Sequence, residues 1–528
     1  MPSPQKRRRR ALAALSVAAL ATPLLIGSAA PASAADPASE GRKLAEKLVK
    51  KTGKKNAMNH MRVFQAIALA NENNRAAGAA GHDLSAKYAG TLLKAAGYKV
   101  TYQDFDFIYR ETVEEKLKVL APNERDIGIK LMTYTKSTEE GGLEAPVAEV
   151  PIDDSDEALT GCAAEDYKDF EGKIALIQRG GCSFAEKQSA AGEAGAVGAI
   201  IYNTEDGELN GTLGDPDEGV IPTGGISKAD GEALSKEVAA GEVKVNLEII
   251  EFQEERTTPN VIAETRGGDE NNVVMAGAHL DSVSEGPGIN DNASGSAGVL
   301  EAALQYSKAT KQWMGKHAKN PANKVRFALW TAEEIGLQGS EHYVSELSKK
   351  EQEQIALYLN YDMIASPNYG LFVYDGDDSD GEGEGPGPEG SAQIEHKLNK
   401  FFESRGEESR GTDFSGRSDY GPFIAVGIPS GGTFTGAEGK KTEEQAKLWG
   451  GKAGVDYDEC YHQECDNLGN VDQKALDINV KAIAHTLGHY AWDTSSLEDE
   501  VPFAPTSGGT PSGGGLHEHH HDEEPVAK

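Results

Sequence analysis

Five short segments of the chain carry the residue types that bind a divalent metal ion. Together they supply two histidines and four acidic ligand candidates, a mixture of imidazole and carboxylate groups that zinc prefers. The segments are Gly277–Val283, Asp291-Asn292, Thr331–Gly336, Asn360–Ile364 and Cys460–Asp466. This combination predicts a metal centre assembled from distant parts of the chain.

The adjacent glutamates Glu333 and Glu334 indicate what that centre does. A hydrolytic zinc site needs carboxylates that hold metal and one carboxylate that stays free to take a proton from water. Neighbouring residues at a strand end point in different directions, so one can bind metal while the other accepts the proton. We expect Glu334 to be a ligand and Glu333 to be the general base and later the general acid, which makes the protein an enzyme.

The other candidates fit a site for two ions. Two metals about 3.5–4 Å apart need a group that contacts both, and Asp291, in a Gly/Asn-rich turn before a helix, is the expected bridge. We expect His279 and Asp362 to hold one ion, and Glu334 and His462 to hold the other.

Alternating strands and helices must position these residues from about Thr258 onward. Three predicted strands run directly into candidate ligands, and two long helices accompany them: Asn272–Ala278, Val325–Trp330, Gln354–Tyr361, Ala293–Tyr306 and Val471–Trp492. Such alternation predicts an α/β fold with a mostly parallel central sheet flanked by helices. In such sheets sites form beyond the carboxyl ends of the strands, so these side chains should converge.

Two kinds of supporting residue complete the predicted site. Asp281 follows His279 by two residues, so it points the same way along an extended chain and can orient the imidazole. The four cysteines fall into two sequence-local pairs, Cys162 with Cys182 and Cys460 with Cys465. In an exported protein such pairs are disulfides. The second would clamp the loop that carries His462.

The first 34 residues have the pattern of a signal peptide. The basic cluster Lys6–Arg10 is followed by the apolar stretch Ala11–Ile26 and the cleavage motif Ala32-Ser33-Ala34. We therefore expect a secreted, extracellular protein that begins near Ala35 and has no membrane anchor after cleavage. The sequence leaves the export route open between the general secretory and twin-arginine systems.

The charge of the chain excludes two classes of partner. The formal net charge is −33, and removal of the basic leader makes it more negative. Such a surface repels nucleic acid and anionic lipid. We expect neither as a partner, and we expect the protein to be a monomer.

The pattern divides the chain into a leader at 1–34, an N-terminal part of the catalytic domain at 36–141, an inserted module at 142–253, a di-zinc catalytic domain at 258–495, and a low-complexity tail at 500–528. The module contains the motifs Gly161-Cys162, Gly172–Cys182 and Ala194–Asn203. On these residues it resembles the β-rich protease-associated domain of exported peptidases.

The catalytic part resembles the secreted two-zinc aminopeptidases, especially the leucine-preferring enzymes of soil actinomycetes, within the glutamate carboxypeptidase-like superfamily. Besides the ligand set and the base, Gly416–Tyr420 and Gly431–Glu438 match that family. The resemblance implies a zinc exopeptidase fold, two Zn²⁺ per chain, and removal of hydrophobic N-terminal residues from peptides. It also implies that Tyr461 donates a hydrogen bond to the tetrahedral intermediate, that Arg417 and Phe434 line the substrate pocket, and that the Asp291–Asn292 peptide bond is cis.

Other interpretations remain open. A carboxypeptidase or dipeptidase on the same scaffold would need a basic clamp for a terminal carboxylate, for which Arg417 is the candidate. A non-catalytic peptide-binding protein would be expected to have lost a ligand or the base, and none is missing. The acidic run Asp375–Glu389 offers carboxylates to Ca²⁺, but it lacks the spacing of a known calcium loop.

Overall fold

The computed structural model describes residues 36–151, 161–214, 216–317, 319–381 and 385–501. The predicted signal peptide and the tail from residue 502 onward lie outside the described residues. The helices are α1 (Pro37–Lys51), α2 (Lys54–Leu69), α3 (Ala80–Ala95), α4 (Phe184–Glu193), α5 (Lys228–Ala240), α6 (Ala293–Thr310), α7 (Gln338–Ser345), α8 (Lys349–Glu353), α9 (Ser391–Glu403), α10 (Gly421–Ala425), α11 (Glu443–Trp449) and α12 (Gln473–Tyr490).

The strands are β1 (Lys99–Ala121), β2 (Arg125–Ile127), β3 (Lys130–Thr133), β4 (Leu143–Glu149), β5 (Ile174–Gln178), β6 (Gly198–Tyr202), β7 (Gly211–Thr212), β8 (Thr223–Ile226), β9 (Lys244–Glu264), β10 (Asp269–His279), β11 (Asn323–Trp330), β12 (Ile355–Tyr361), β13 (Phe372–Tyr374), β14 (Arg410–Thr412) and β15 (Ser430–Phe434).

A mostly parallel sheet forms the centre of the catalytic part, in the order β14-β13-β15-β12-β10-β11-β9. Strand β10 pairs in parallel with β11 on one side and with β12 on the other, and β12 pairs in parallel with β15. The antiparallel partners are β9, against β11, and β13, against β15. The predicted α/β fold with a helix-flanked central sheet is confirmed.

Small residues let the covering helices pack closely on one another. A Cβ atom at Gly298 of α6 would lie 2.8 Å from Cδ1 of Ile483 in α12. A Cβ atom at Gly488 of α12 would lie 2.4 Å from Cα of Ala45 in α1. The helix run that begins at Ala293 is therefore rich in Gly, Ala and Ser because long side chains would push the layers apart.

A long antiparallel ribbon joins the catalytic part to the inserted module. Strand β1 pairs with β9 from Lys99 opposite Glu264 to Ala121 opposite Lys244. None of the β1 residues between Tyr109 and Leu117 is buried, so pairing with β9 holds this middle stretch of the strand. Strand β9 continues without a break through residue 253, where the sequence analysis places the end of the module.

The far half of the ribbon is built into the core of the module. The module's strands follow the order β4-β5-β6-β8-β3-β7, and β4 pairs with β9. Leu117 and Val119 of β1 and Ile127 of β2 share a buried cluster with Ile174 and Leu176 of β5. This packing makes the far half of the ribbon part of the module's core.

The Cys162–Cys182 disulfide is present, with its Cα atoms 5.9 Å apart, and the bridge lies just before α4.

Among the described residues, no helix combines the length and apolar composition that crossing a bilayer requires.

Candidate active site

The carboxyl ends of three parallel strands bring the predicted ligands together. His279 is the last residue of β10, Glu333 and Glu334 follow β11, and Asp362 follows β12. Asp291 lies at the start of α6, where Asn292 caps the helix by accepting a hydrogen bond from the backbone N–H of Gly295 at 2.8 Å.

Asp291 lies between the two histidines. Its Oδ1 is 3.1 Å from Nε2 of His279, and its Oδ2 is 3.4 Å from Nε2 of His462. His279 Nε2 is also 3.3 Å from Asp362 Oδ1, and His462 Nε2 is 3.0 Å from Glu334 Oε2. The two oxygens of one carboxylate thus face two separate groups, each with one histidine and one further acid. The peptide bond between Asp291 and Asn292 is cis, as the resemblance implied.

The donor set fits a bound cation. Within the part of the chain that the structure describes, both ring nitrogens of His279 and Oδ1 of Asp362 are buried without a hydrogen-bond partner. Buried polar atoms nearly always have a partner, so His279 Nε2 and Asp362 Oδ1, which face each other at 3.3 Å, are available to coordinate metal. Nitrogen and carboxylate oxygen at such spacing suit zinc.

Glu333 and Glu334 have different surroundings. Glu334 accepts a hydrogen bond from the backbone N–H of Val283 at 3.1 Å and faces His462. Glu333 instead faces His279, with its Oε2 3.7 Å from Nε2. Burial raises the pKa of Glu333 well above its ordinary value, and the Asp362 carboxylate adds to this shift while His279 opposes it. A carboxylate with raised proton affinity suits a general base.

Proton affinities across the cluster follow from burial and crowded charge. Burial and the nearby Asp291 carboxylate raise the pKa of Glu334 to about 7. Burial lowers the pKa of His462, but Glu334 and Asp291 outweigh it and raise that pKa to about 11. The cluster therefore attracts positive charge strongly.

Asp281 connects the two sides of the site. Its Oδ1 is 3.5 Å from His279 Nδ1, and its Oδ2 accepts a hydrogen bond from the backbone N–H of Glu334 at 3.3 Å. The predicted contact with the His279 ring is present, and the bond to Glu334 was not foreseen.

Tyr461 and Arg417 meet at the edge of the cluster. The Tyr461 ring stacks on His462 with centroids 3.8 Å apart, and its hydroxyl lies 3.4 Å from an Arg417 nitrogen that donates to it. Burial raises the pKa of Tyr461 well above its ordinary value, so the hydroxyl stays protonated as a donor. Arg417 also donates to Glu438 at 2.7 Å. Phe434 ends β15 and packs against Phe372, with ring centroids 6.3 Å apart.

Sequence reasoning missed Arg75, which holds the loop between His279 and Asp291. Its side chain is fully buried and donates to the carbonyl oxygens of Leu280, of Pro287 at 3.0 Å and of Gly288 at 2.6 Å. The available signal in the sequence was a cationic residue in a run of Ala and Gly, whose short side chains cannot shield it.

Sequence reasoning also missed Asp466, which holds Asp291 from the other side. Its carboxylate accepts hydrogen bonds from the backbone N–H groups of Asn290 at 2.8 Å and of Asp291 at 3.0 Å. The Cys460–Cys465 disulfide immediately before it is present, as predicted. The available signal was an acidic residue directly after Cys465, within the segment Cys460–Asp466.

Two acids of the run that starts at Asp375 form a separate carboxylate cluster with Glu395 of α9. Asp375, Asp377 and Glu395 place oxygens within 4.8 Å of one another. Backbone N–H groups of Ser379 and Gly376 already donate to Asp375 and Glu395. Calcium binding at this run stays an open alternative.

Comparisons with known proteins agree with this geometry. The family model described as Peptidase family M28 matches residues 260–487, and the PA domain model matches residues 143–234. The aminopeptidase of Pseudomonas aeruginosa (strain UCBPP-PA14) is 44% identical over 466 residues, which cover 85% of this chain and 83% of that protein.

Two further comparisons extend the likeness to a fungal protein and to a solved structure. Leucine aminopeptidase 2 of Trichophyton equinum is 44% identical over 422 residues, or 80% of each chain. The structure of BSAP, a zinc aminopeptidase from Bacillus subtilis, matches with a TM-score of 0.55 and 26% identity, over 82% of this chain and 95% of that one. The protein is therefore a member of peptidase family M28, a hydrolase of peptide bonds, and it carries an inserted PA domain.

Proposed function

We infer that the protein is a zinc-dependent aminopeptidase that removes single residues from the amino termini of peptides. One observation carries this conclusion: the Asp291 carboxylate lies between His279 and His462, with the Glu333 carboxylate beside His279. The similarity to proteins named aminopeptidase supports it.

We propose that the site holds two Zn²⁺ ions. His279 and Asp362 would bind one, Glu334 and His462 would bind the other, and Asp291 would bind both through its two oxygens. Zinc at these positions supplies positive charge that lowers the pKa of water and stabilises negative charge on the peptide carbonyl oxygen. Asp281 would orient His279, because its Oδ1 lies 3.5 Å from His279 Nδ1.

Glu333 moves the proton in this proposal. Its carboxylate takes a proton from the attacking water and passes it to the amine of the leaving peptide. Removal of the proton turns water into the nucleophile, and its return prevents expulsion of an amide anion. Burial of Glu333 supports this role, because it raises the proton affinity of the carboxylate.

Tyr461 and Arg417 act on the substrate's carbonyl side. The Tyr461 hydroxyl donates a hydrogen bond to the oxyanion of the tetrahedral intermediate, where it is worth most because charge develops there. Arg417 touches that hydroxyl and fixes its position. The free amino group of the substrate would be held by the surplus of carboxylates, which explains removal of terminal residues.

The side-chain preference follows from the apolar surroundings of Phe434. This residue packs on the aromatic cluster around Phe372 and would line the pocket for the first side chain. A preference for hydrophobic residues agrees with the name of the Trichophyton relative.

A carboxypeptidase is the weaker alternative. It needs a cation free to bind a terminal carboxylate, whereas Arg417 already forms an ion pair with Glu438 at 2.7 Å. A non-catalytic peptide-binding protein is weaker still, because the ligand candidates and the base are assembled.

We also propose that the protein acts outside the cell as a monomer. Two disulfides within the described residues support an oxidising location. Its partners would be the amino termini of peptides or proteins.

The test compares leucine 4-nitroanilide, its N-acetylated form and a carboxypeptidase substrate with a blocked amino terminus. We expect cleavage of the first alone, loss of activity with a chelator, and recovery with Zn²⁺ at two ions per chain. Cleavage of the blocked substrates would contradict the proposal.

A further inference from the structure

A chain of buried hydrogen bonds runs from the core of the sheet to Asp362. Trp330 Nε1 lies 2.7 Å from the Tyr358 hydroxyl, which lies 2.9 Å from Asn360 Oδ1. Asn360 Nδ2 lies 2.8 Å from Ser418 Oγ, which lies 2.6 Å from Asp362 Oδ2. Trp330, Tyr358 and Asn360 are fully buried, and Ser418 is 5% exposed.

The two ends of the chain set the direction of the bonds between them. An indole N–H can only donate, so Trp330 donates to the Tyr358 oxygen. The hydroxyl proton of Tyr358 goes to Asn360 Oδ1, and Asn360 Nδ2 donates to Ser418 Oγ. At the other end a carboxylate can only accept, so Ser418 donates its own proton to Asp362.

This order determines what each oxygen of Asp362 can do. Oδ2 is engaged by the Ser418 hydroxyl, whereas Oδ1 is buried without a hydrogen-bond partner and faces His279 at 3.3 Å. Asp362 is thereby held as an acceptor with one oxygen directed at the metal position.

Packing around the chain leaves its first members little freedom. The Phe423 ring stacks on Tyr358 with centroids 4.0 Å apart and an interplanar angle of 8°. A Cβ atom at Gly277 would lie 2.5 Å from the Tyr358 hydroxyl and 2.8 Å from Trp330 Nε1. The glycine two residues before His279 thus provides the space in which this hydrogen bond forms.

We propose that Trp330, Tyr358 and Asn360 are positioning residues for one of the two metal ions. They order the protons so that Ser418 donates only to Asp362, and they set the affinity for the ion held by His279 and Asp362. This inference rests on the proposed function, since it requires that Asp362 binds metal.

The test variant is Tyr358→Phe, which removes one oxygen and keeps the ring. Without that hydroxyl the Asn360 amide can turn, and Ser418 can donate to Asn360 Oδ1 instead of to Asp362. Loss of such outer partners costs 10–100-fold in metal affinity. We expect a loss of roughly tenfold for one ion, near the lower end of that range.

The measurement is a Zn²⁺ titration of the metal-free full chain against a competing chelator, together with the visible absorption spectrum of the Co²⁺-loaded protein. We expect the affinity for one ion to fall and the affinity for the other to stay within about threefold of the wild-type value. We also expect the Co²⁺ absorption bands to shift.

Tyr361→Phe is the matched control. Tyr361 lies on the same strand, is fully buried and bonds through its hydroxyl to Thr486 at 2.9 Å, away from Asp362. It should lose similar stability and keep both metal affinities. An equal loss of affinity in both variants, or none in Tyr358→Phe, would overturn the inference.

A double variant tests the path itself. If Tyr358 acts through Ser418, adding Tyr358→Phe to Ser418→Ala should lower metal affinity no further. Additive losses would refute the chain. Should Tyr358→Phe not fold, Trp330→Phe removes the ordering donor from the other end and should weaken the same ion.

The two proposals fail differently. A wild-type protein that binds no Zn²⁺ would refute the proposed function, and the inference with it. A wild-type protein that binds two ions, beside a Tyr358→Phe variant with unchanged affinity, would refute the inference alone.

Discussion

The carboxylate of Asp466 accepts a hydrogen bond from the backbone N–H of Asp291 at 3.0 Å. Asp466 follows the Cys460–Cys465 disulfide directly, so the loop that carries His462 also holds the backbone of the residue between the two histidines. In addition, Asp458 accepts a bond from the Asn290 side chain at 2.6 Å. The disulfide loop and the expected bridging ligand therefore form one unit.

Replacement of Asp466 by alanine should weaken both metal ions. The Asn290 and Asp291 backbone amides would lose their acceptor, and a shift of Asp291 affects the two metal positions equally. We expect a loss of about 10–100-fold in affinity for each ion, measured by Zn²⁺ titration. Asp472→Ala is the control, because Asp472 likewise accepts from two backbone amides but at the start of α12. A loss confined to one ion would contradict this coupling.

Substitution of Glu333 should lower turnover without loss of metal, whereas substitution of Glu334 should cause loss of metal. Glu333→Ala should lower kcat by about 10²–10⁴-fold and keep both ions, because it removes only the proton acceptor. Glu334→Ala should lose one ion, because only His462 and the shared Asp291 carboxylate would remain on that side. Metal content and kcat, measured on the same samples, check both outcomes. Equal metal content with equal residual activity would show that the two roles are wrongly assigned.

Arg75→Met should disturb the metal site although Arg75 does not touch the ligands. Three carbonyl oxygens of the loop before Asp291 would lose their donors, at a cost of about 3 kcal/mol or more in stability.

The control for Arg75 is Arg326→Met, which removes a partly buried cation that is paired with Glu264 at 2.7 Å. Both variants should unfold at lower temperature, but we expect only Arg75→Met to lose zinc on dialysis against a chelator. Zinc loss from both would mean that general destabilisation is sufficient.

Two histidines of α12 should make the fold sensitive to acid. Burial, together with the charge of neighbouring His489, lowers the pKa of His485 to about 3, and burial followed by the charge of Lys397 lowers that of His489 to about 4. In the unfolded chain both histidines have a pKa near 6.5. Below that pH the unfolded chain therefore binds more protons than the folded protein. Stability should therefore be full above about pH 6.5 and fall as the pH decreases toward 4.

The size of this effect can be measured by urea unfolding at a series of pH values. We expect the His pair to account for on the order of 2 kcal/mol of the loss near about pH 4.5. The variant with His485→Phe and His489→Gln should show a shallower decrease than the wild type. Parallel curves would exclude these histidines as the cause.

Residues at the carboxyl ends of buried strands, or within a few residues of them, could be predicted from the sequence. His279, Glu333 and Asp362 combine a strongly apolar strand with a polar residue at its end, and that pattern is local. Arg75 and Asp466 could not be predicted in the same way, because each acts on backbone groups of a segment far away in the chain. Their roles exist only once the segments pack together.

The extent of β1 illustrates the same limit. Between Tyr109 and Leu117 the strand has no buried residue and is held by pairing with β9, so this stretch of sequence carries no period of its own. Strand pairing is a contact between distant segments, and a single stretch of sequence does not encode it.

The two-stranded ribbon has an evolutionary consequence. Because β1 and β9 run antiparallel, the chain leaves the catalytic part and returns to it at adjacent positions, with Arg110 opposite Gln253. A hairpin turn at that point would close the chain without moving either end. The PA module can therefore be gained, exchanged or lost by recombination at the tip of one hairpin, while the metal ligands keep their positions.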